Sequence, residues 1–118
     1  MKPRLDARAA EDAAAEFLRR RGYKIAQRNF TTRLGEIDIV AVDEGLVVFV
    51  EVKSRVSSEY GPPEMAVDGR KQAKLRRIAQ LFLERHKLLD TPCRFDVVAL
   101  TRPSEGGDWD IDLIQDAF

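Results

Sequence analysis

In the stretch "GEIDIVAVDEGLVVFVEVKSR", residues 35–55, the side chains able to do chemistry are Glu36, Asp38, Glu51, Lys53 and Arg55. They stand inside or at the ends of two apolar, strand-like runs. Ionised groups are rarely buried there unless they are paired or hold a metal, because taking a charge out of water is expensive. Side chains alternate faces along a strand, so Glu51 and Lys53 share one face and Val50 and Val52 the other. On the preceding run Glu36 and Asp38 share a face, as do Ile37 and Ile39. If "DEGL" closes with an even number of loop residues, Val42 lies opposite Val47, Asp38 opposite Glu51 and Glu36 opposite Lys53. A three-residue loop would reverse the parity and put Asp38 and Glu51 on opposite faces.

Directly paired residues have Cβ atoms about 4.5–5.5 Å apart, and like charges so placed destabilise a sheet. Lys53 offsets part of that repulsion. A hard divalent cation could offset the rest, since Mg²⁺ typically takes one or two carboxylates together with waters and substrate phosphates. No cysteine or histidine cluster suggests zinc. The competing reading is a salt-bridge network at the end of a hairpin. An isolated Glu-x-Lys would favour that network; an aspartate at the matching upstream position shifts the balance toward a site.

The elements that must position these groups follow from periodicity. Ala7, Ala10, Ala14, Phe17 and Leu18 recur at helical spacing, which predicts a helix over 6–21 stopped by Gly22. "YKIAQRNF" (23–30) alternates as a strand, and two strong strands follow at about 35–42 and 46–53 around the turn signal "DEG". After the loop "SSEYGPPEMAV", Asp68 can cap a second helix over about 69–88, with Leu75, Ile78, Ala79 and Phe82 as its apolar stripe. "RFDVVAL" (94–100) is a further strand, and "WDIDL" (109–113) alternates like a one-sided edge strand. The order αβββαβ, plus a short last strand, predicts an α/β fold: a mixed sheet flanked by helices.

The whole chain bounds the function. Its 118 residues suit one domain spanning 1–118, long enough to bury roughly two-thirds of its unfolded surface. Hydrophobic residues make up 44% and charged residues 34%, an ordinary soluble composition. No apolar run approaches the ~20 residues of a membrane span. The first residues mix acids among alanines, unlike a signal peptide. The single cysteine, Cys93, excludes an internal disulfide and fits a reducing compartment, so the expected location is cytoplasmic. With 20 basic and 20 acidic residues the net charge is zero, which does not favour a tight nucleic-acid binder. Distribution matters more than the sum, and the bases cluster at 19–21 and 70–77.

"GEIDIVA" and "FVEVKSR", preceded by "RNFTTR" and followed by "YGPPE" and "RFDVV", resemble the YraN-like family of small bacterial proteins over about residues 11–100. That family resembles the restriction-endonuclease fold with its PD-(D/E)xK motif, as in archaeal Holliday-junction resolvases. The resemblance implies that Asp38 is the motif's aspartate, Glu51 its second acid and Lys53 its lysine. It also implies that Glu11 matches an acid on the family's first helix, although Ala10 stands where the family usually has glycine. By spacing alone, Glu11 points toward the apolar side of helix one or reaches solvent at its edge.

The reaction so implied is metal-dependent hydrolysis of a phosphodiester in nucleic acid, with DNA the expected partner and a junction, flap or end as the expected substrate. Asp38, Glu51 and Glu11 would hold Mg²⁺ or Mn²⁺, and Lys53 would orient water or neutralise charge on phosphorus. Arg28, Arg33, Arg55 and Lys71 are candidate backbone contacts, Lys71 having a solvated lysine as its plainer reading. Two other classes compete: a catalytically silent nucleic-acid-binding adaptor, and a protein-interaction domain using the loop around Tyr60 to Met65. His86, Cys93 and Trp109 read as structural, and Asp96 as a strand-end charge with a local partner.

Overall fold

The computed structural model describes residues 3–56, 67–103 and 106–118, so the loop around Tyr60 to Met65 lies outside the described residues. The elements are α1 (Pro3–Arg20), β1 (Lys24–Thr32), β2 (Gly35–Asp43), β3 (Leu46–Val56), α2 (Gly69–Arg85), β4 (Cys93–Arg102) and β5 (Asp110–Ile114). They form a five-stranded sheet in the order β1-β2-β3-β4-β5. β3 and β4 are parallel, joined across α2, and every other neighbouring pair is antiparallel. The expected mixed α/β architecture is therefore observed.

Each helix covers one face. α1 lays Ala10, Ala14, Ala15 and Leu18 against Ile39, Ala41, Val48, Val50, Val98 and Leu100. Alanines on that stripe let the helix backbone come close to the sheet. α2 buries Leu75, Ile78, Ala79, Phe82 and Leu83 against a core that includes Phe30, Ile37, Phe49 and Phe95. The Phe82 ring meets Phe30 and Phe49 edge-on, at centroid distances of 5.2 and 5.8 Å, a favoured aromatic geometry.

The helix ends have local causes. At the end of α1, Gly22 adopts φ +94° while Gly22 N–H donates to Arg19 O and Tyr23 N–H to Leu18 O, each at 3.0 Å. This is the Schellman arrangement that the glycine predicts. α2 starts as expected, the Asp68 carboxylate accepting the Lys71 N–H at 2.9 Å. It ends at Arg85 rather than 88, because Lys87 takes the left-handed position (φ 59°) and Leu88 N–H folds back to Leu83 O at 2.7 Å. A lysine there gives no stop signal in the sequence.

The β2–β3 turn has two residues, Glu44 and Gly45, both at positive φ, and pairs Val42 with Val47. That is the even loop. One expectation fails: Ile37 and Ile39 do not share a face. Ile37 packs with Phe30 on the α2 side, and Ile39 packs on the α1 side. On the neighbouring strand the switch is matched by Asn29, held at φ 55° between Arg28, which pairs with Ile39, and Phe30, which pairs with Ile37. Asparagine tolerates that conformation better than most residues.

Candidate active site

The face switch coincides with a split in the sheet. The β2–β3 ladder runs from Asp43–Leu46 to Ile39–Val50 and stops. Beyond it β2 stays with β1 as far as Gly35, while β3 stays with β4 as far as Val56. Asp38 stands in the fork, its Oδ2 accepting the Val52 N–H at 2.8 Å. A side chain thus takes a donor that a continued ladder would have given to the β2 backbone. Because the strands part, Glu36 is not paired with Lys53. Glu36 pairs with Thr31 and Lys53 with Ala99.

The electrostatics follow from that position. Burial raises the Asp38 carboxyl from 3.8 to about 7; the Val52 N–H pulls the other way, and the negative charges of Glu51, Glu11 and Glu36 push it further up. Glu51, half-buried on β3, forms an ion pair with Lys71 in the first turn of α2. Its side chain is 11% exposed against 48% for Lys71, so the pair is dry at the carboxylate end. The plainer reading of Lys71 as merely solvated is thereby corrected. Lys53 is half-buried two residues along the same strand, with interactions of its own.

Glu11 is partly buried and has partners for both carboxylate oxygens. Its Oε1 accepts from Arg28 Nη2 at 2.8 Å and Oε2 from Asn29 Nδ2 at 2.9 Å. Asn29 Nδ2 also donates to Glu36 Oε2 at 3.0 Å, so one amide ties two acids of the fork together. A cleft of about 420 Å³ opens beside Glu11, Asn29, Thr31 and Glu36. Arg28 is held by Glu11 and by Asp12 (2.7 Å); burial alone would lower its pKa, but these bonds more than compensate and raise it. Arg33 is exposed in the β1–β2 turn and Arg55 is half-buried near the end of β3, with partners of its own.

The acids cluster without closing into a cage. Among the described residues no three acid, histidine or cysteine side chains stand together as a ready metal-binding group. Glu51, Glu11 and Glu36 are nonetheless near enough for their charges to act on Asp38.

Asp96 has the expected local partner, Arg94, but is not at a strand end. Asp96 is fully buried in mid-strand, and it accepts from Tyr23 Oη at 2.8 Å, from Arg94 Nε and Nη2 at 2.9 Å, and from the Asp116 N–H at 2.9 Å. Arg94 continues to Asp43 at 3.0 Å, and its bonds to Asp96 raise its already high pKa. This network ties α1's exit, β2, β4 and the C-terminal tail together at the end of the β2–β3 hairpin away from the fork. Its sequence signal is Arg94 and Asp96 two apart on one strand face. His86 stacks on Phe82 at 4.2 Å, and Trp109 lies under Arg102 at 4.4 Å, both as structural residues. Asn29 was not among the expected site residues. Its place before Phe30 in "RNF" was the available hint.

The model of the uncharacterised protein family UPF0102 matches residues 10–100, which include the fork, most of α1, all of α2 and most of β4. The chain belongs to UPF0102. It is 50% identical over 110 residues to a UPF0102 protein of Symbiobacterium thermophilum, covering 93% of this chain and 92% of that one. It is 43% identical over 110 residues to a UPF0102 protein of Caldicellulosiruptor saccharolyticus, at 93% of each chain. A UPF0102 protein of Magnetococcus marinus is 40% identical over 119 residues, covering all of this chain and 94% of its own. Among the described residues no helix is long and apolar enough to cross a membrane.

Proposed function

We propose that this UPF0102 chain is a metal-dependent nuclease of the restriction-endonuclease-like, PD-(D/E)xK type, hydrolysing phosphodiester bonds in nucleic acid. The observation that carries this is the placement of Asp38 in a fork of the sheet, where burial first, and then the charges of Glu51, Glu11 and Glu36, raise its carboxyl to about 7. Carboxylates crowded in a half-buried fork are what a hard cation relieves.

By chemistry the candidate ligands suit Mg²⁺ or Mn²⁺, all being carboxylates: Asp38 and Glu51, with Glu11 as a third once it releases Arg28 or Asn29. Such a cation supplies Lewis acidity and a bound water acidic enough to give up a proton near neutral pH. The chain's own residues do the rest. The Val52 N–H fixes Asp38 through its Oδ2. Asn29 holds Glu11 and Glu36 in place, and Lys71 neutralises Glu51 until substrate arrives. Lys53, one step along the same face from Glu51, brings positive charge to the phosphate as negative charge builds on it.

A second reading has its own support. Glu51 is already paired with Lys71, and Glu11 with Arg28 and Asn29. Acids satisfied in this way suit a catalytically silent nucleic-acid-binding or protein-interaction adaptor. Calorimetric titration with Mn²⁺, run on wild type and Glu51→Gln and paired with cleavage assays on linear, flap and four-way-junction substrates, separates the two. Metal binding lost in the variant, with metal-dependent cutting by wild type, supports the nuclease. No metal binding and no cutting by wild type selects the adaptor.

A further inference from the structure

α2 carries an asymmetry that the acid fork does not use. Its charged residues are Arg70, Lys71, Lys74, Arg76, Arg77 and Arg85 against Glu84 alone, in a chain of zero net charge. Some of these bases are engaged. Lys71 holds Glu51, Arg76 lies over the Phe95 and Phe118 rings at 5.1 and 5.3 Å, and Arg85 lies over Phe30 at 5.3 Å. Arg70, Lys74 and Arg77 are exposed and, among the described residues, make no ion pair. Spaced by four and three, they form one stripe on the helix surface.

The stripe runs beside a cleft. About 410 Å³ of space lies between the start of α2 and the β1–β2 turn, lined by Gly35, Glu36, Arg70, Lys71 and Lys74 among others. Gly35, at φ +143°, comes so near that a Cβ there would sit 3.0 Å from Lys74 Cε. The bare glycine backbone lets the lysine stem lie across the turn. The acids at this cleft are already bound: Asp68 accepts the Lys71 N–H at 2.9 Å, and Glu36 accepts from Asn29 at 3.0 Å. Lys71 joins the cleft to Glu51, so the basic stripe leads directly to the fork.

We infer that a nucleic-acid phosphodiester backbone binds along Arg70, Lys74 and Arg77, with the cleft above Gly35 as a phosphate seat. This rests on the nuclease reading only for its direction toward the fork. The stripe rises about 10 Å along the helix axis, enough to meet about three successive phosphates of one strand. Arg28, an expected contact from sequence, is instead held by Glu11 and Asp12 and belongs to the scaffold of the fork. Phosphate contacts of this kind position a substrate without reading its sequence.

The test is fluorescence anisotropy of a labelled four-way junction and a linear duplex, without divalent metal, from 50 to 200 mM NaCl. The triple variant Arg70→Glu/Lys74→Glu/Arg77→Glu should bind at least tenfold more weakly at 50 mM. Its slope of log affinity against log salt should be shallower by about 2–3, at roughly 0.9 per lost contact. The matched control Arg19→Glu/Arg20→Glu/Arg21→Glu, with the same charge change at the end of α1, should stay near wild type. If the reversed variant melts early, Arg70→Gln/Lys74→Gln/Arg77→Gln should show the same flattening. Unchanged binding by the α2 variant, equal loss in the control, or no binding by wild type overturns the track. Wild type that binds through α2 yet cuts nothing with Mn²⁺ refutes the nuclease reading and leaves the track standing.

Discussion

The Val52 N–H donates to the Asp38 carboxylate at 2.8 Å across the gap where β2 and β3 part. The bond favours the ionised form, yet burial and the charges of Glu51, Glu11 and Glu36 outweigh it and lift Asp38 to about 7. Asp38 is therefore a poor place for a charge unless a cation shares it.

That imbalance gives a pH signature. An aspartate raised from 3.8 to about 7 in the folded state keeps its proton there after the unfolded chain has lost it. Its contribution to stability is complete below about pH 4, is lost as pH rises to about 7, and is flat above. The slope is at most about 1.4 kcal/mol per pH unit. In Asp38→Asn the carboxamide oxygen can still accept the Val52 N–H, and its NH₂ faces acceptor carboxylates. Urea unfolding at pH 5 and pH 8 without metal should show wild type losing stability and Asp38→Asn losing much less. Parallel losses in the two proteins would mean that another group titrates.

On the nuclease reading, Lys71 and a cation compete for Glu51. The ion pair must open before Glu51 can serve as a ligand, so Lys71→Gln should bind Mn²⁺ several-fold more tightly than wild type. Glu51→Gln should lose the binding. Isothermal titration at low salt reads both. Unaltered affinity in Lys71→Gln would show that the cation does not use Glu51.

Much of this was legible in the sequence. A hairpin around "DEG" follows from the turn residues between two apolar runs, and the Val42–Val47 pair is the register that an even loop allows. The Asp68 cap and the Gly22 stop were equally plain, because each rests on one residue's own chemistry. What escaped depends on pairs distant in sequence. The split at Ile39–Val50 and the face switch at Asn29 break the strict alternation that an ideal strand would keep. Glu51–Lys71 and Asp96–Tyr23 are tertiary contacts between elements whose packing no local pattern fixes. Lys87, a left-handed residue without a glycine's signature, likewise ended α2 early.

Asp96 should govern stability rather than chemistry. It is fully buried and satisfies Arg94, Tyr23 and the Asp116 N–H at once. Asp96→Ala leaves the guanidinium of Arg94 with Asp43 but removes its main partner, the kind of loss that costs about 3–5 kcal/mol. The midpoint of urea unfolding should drop accordingly, while Mn²⁺ affinity of the remaining folded protein stays within twofold. A loss of metal affinity as large as that from Glu51→Gln would tie this network to the fork after all.

Holding a cation and using it should depend on different residues. Lys53 shares a strand face with Glu51 but, as an ammonium, cannot be a ligand. Glu51→Gln should therefore abolish both Mn²⁺ binding and cleavage, whereas Lys53→Ala should keep Mn²⁺ binding and still lose cleavage by about 10²-fold or more, the scale of removing one stabilising charge from a transition state. Removing a positive charge beside acids should, if anything, tighten the cation. Lys53 is half-buried and has interactions of its own, so thermal melts must show that the variant is folded at the assay temperature. Lys53→Arg keeps the charge but changes its shape and reach, and should recover only part of the activity. Full cleavage by Lys53→Ala would remove the lysine from the mechanism, and equal loss of metal in both variants would make it part of the cation's scaffold instead.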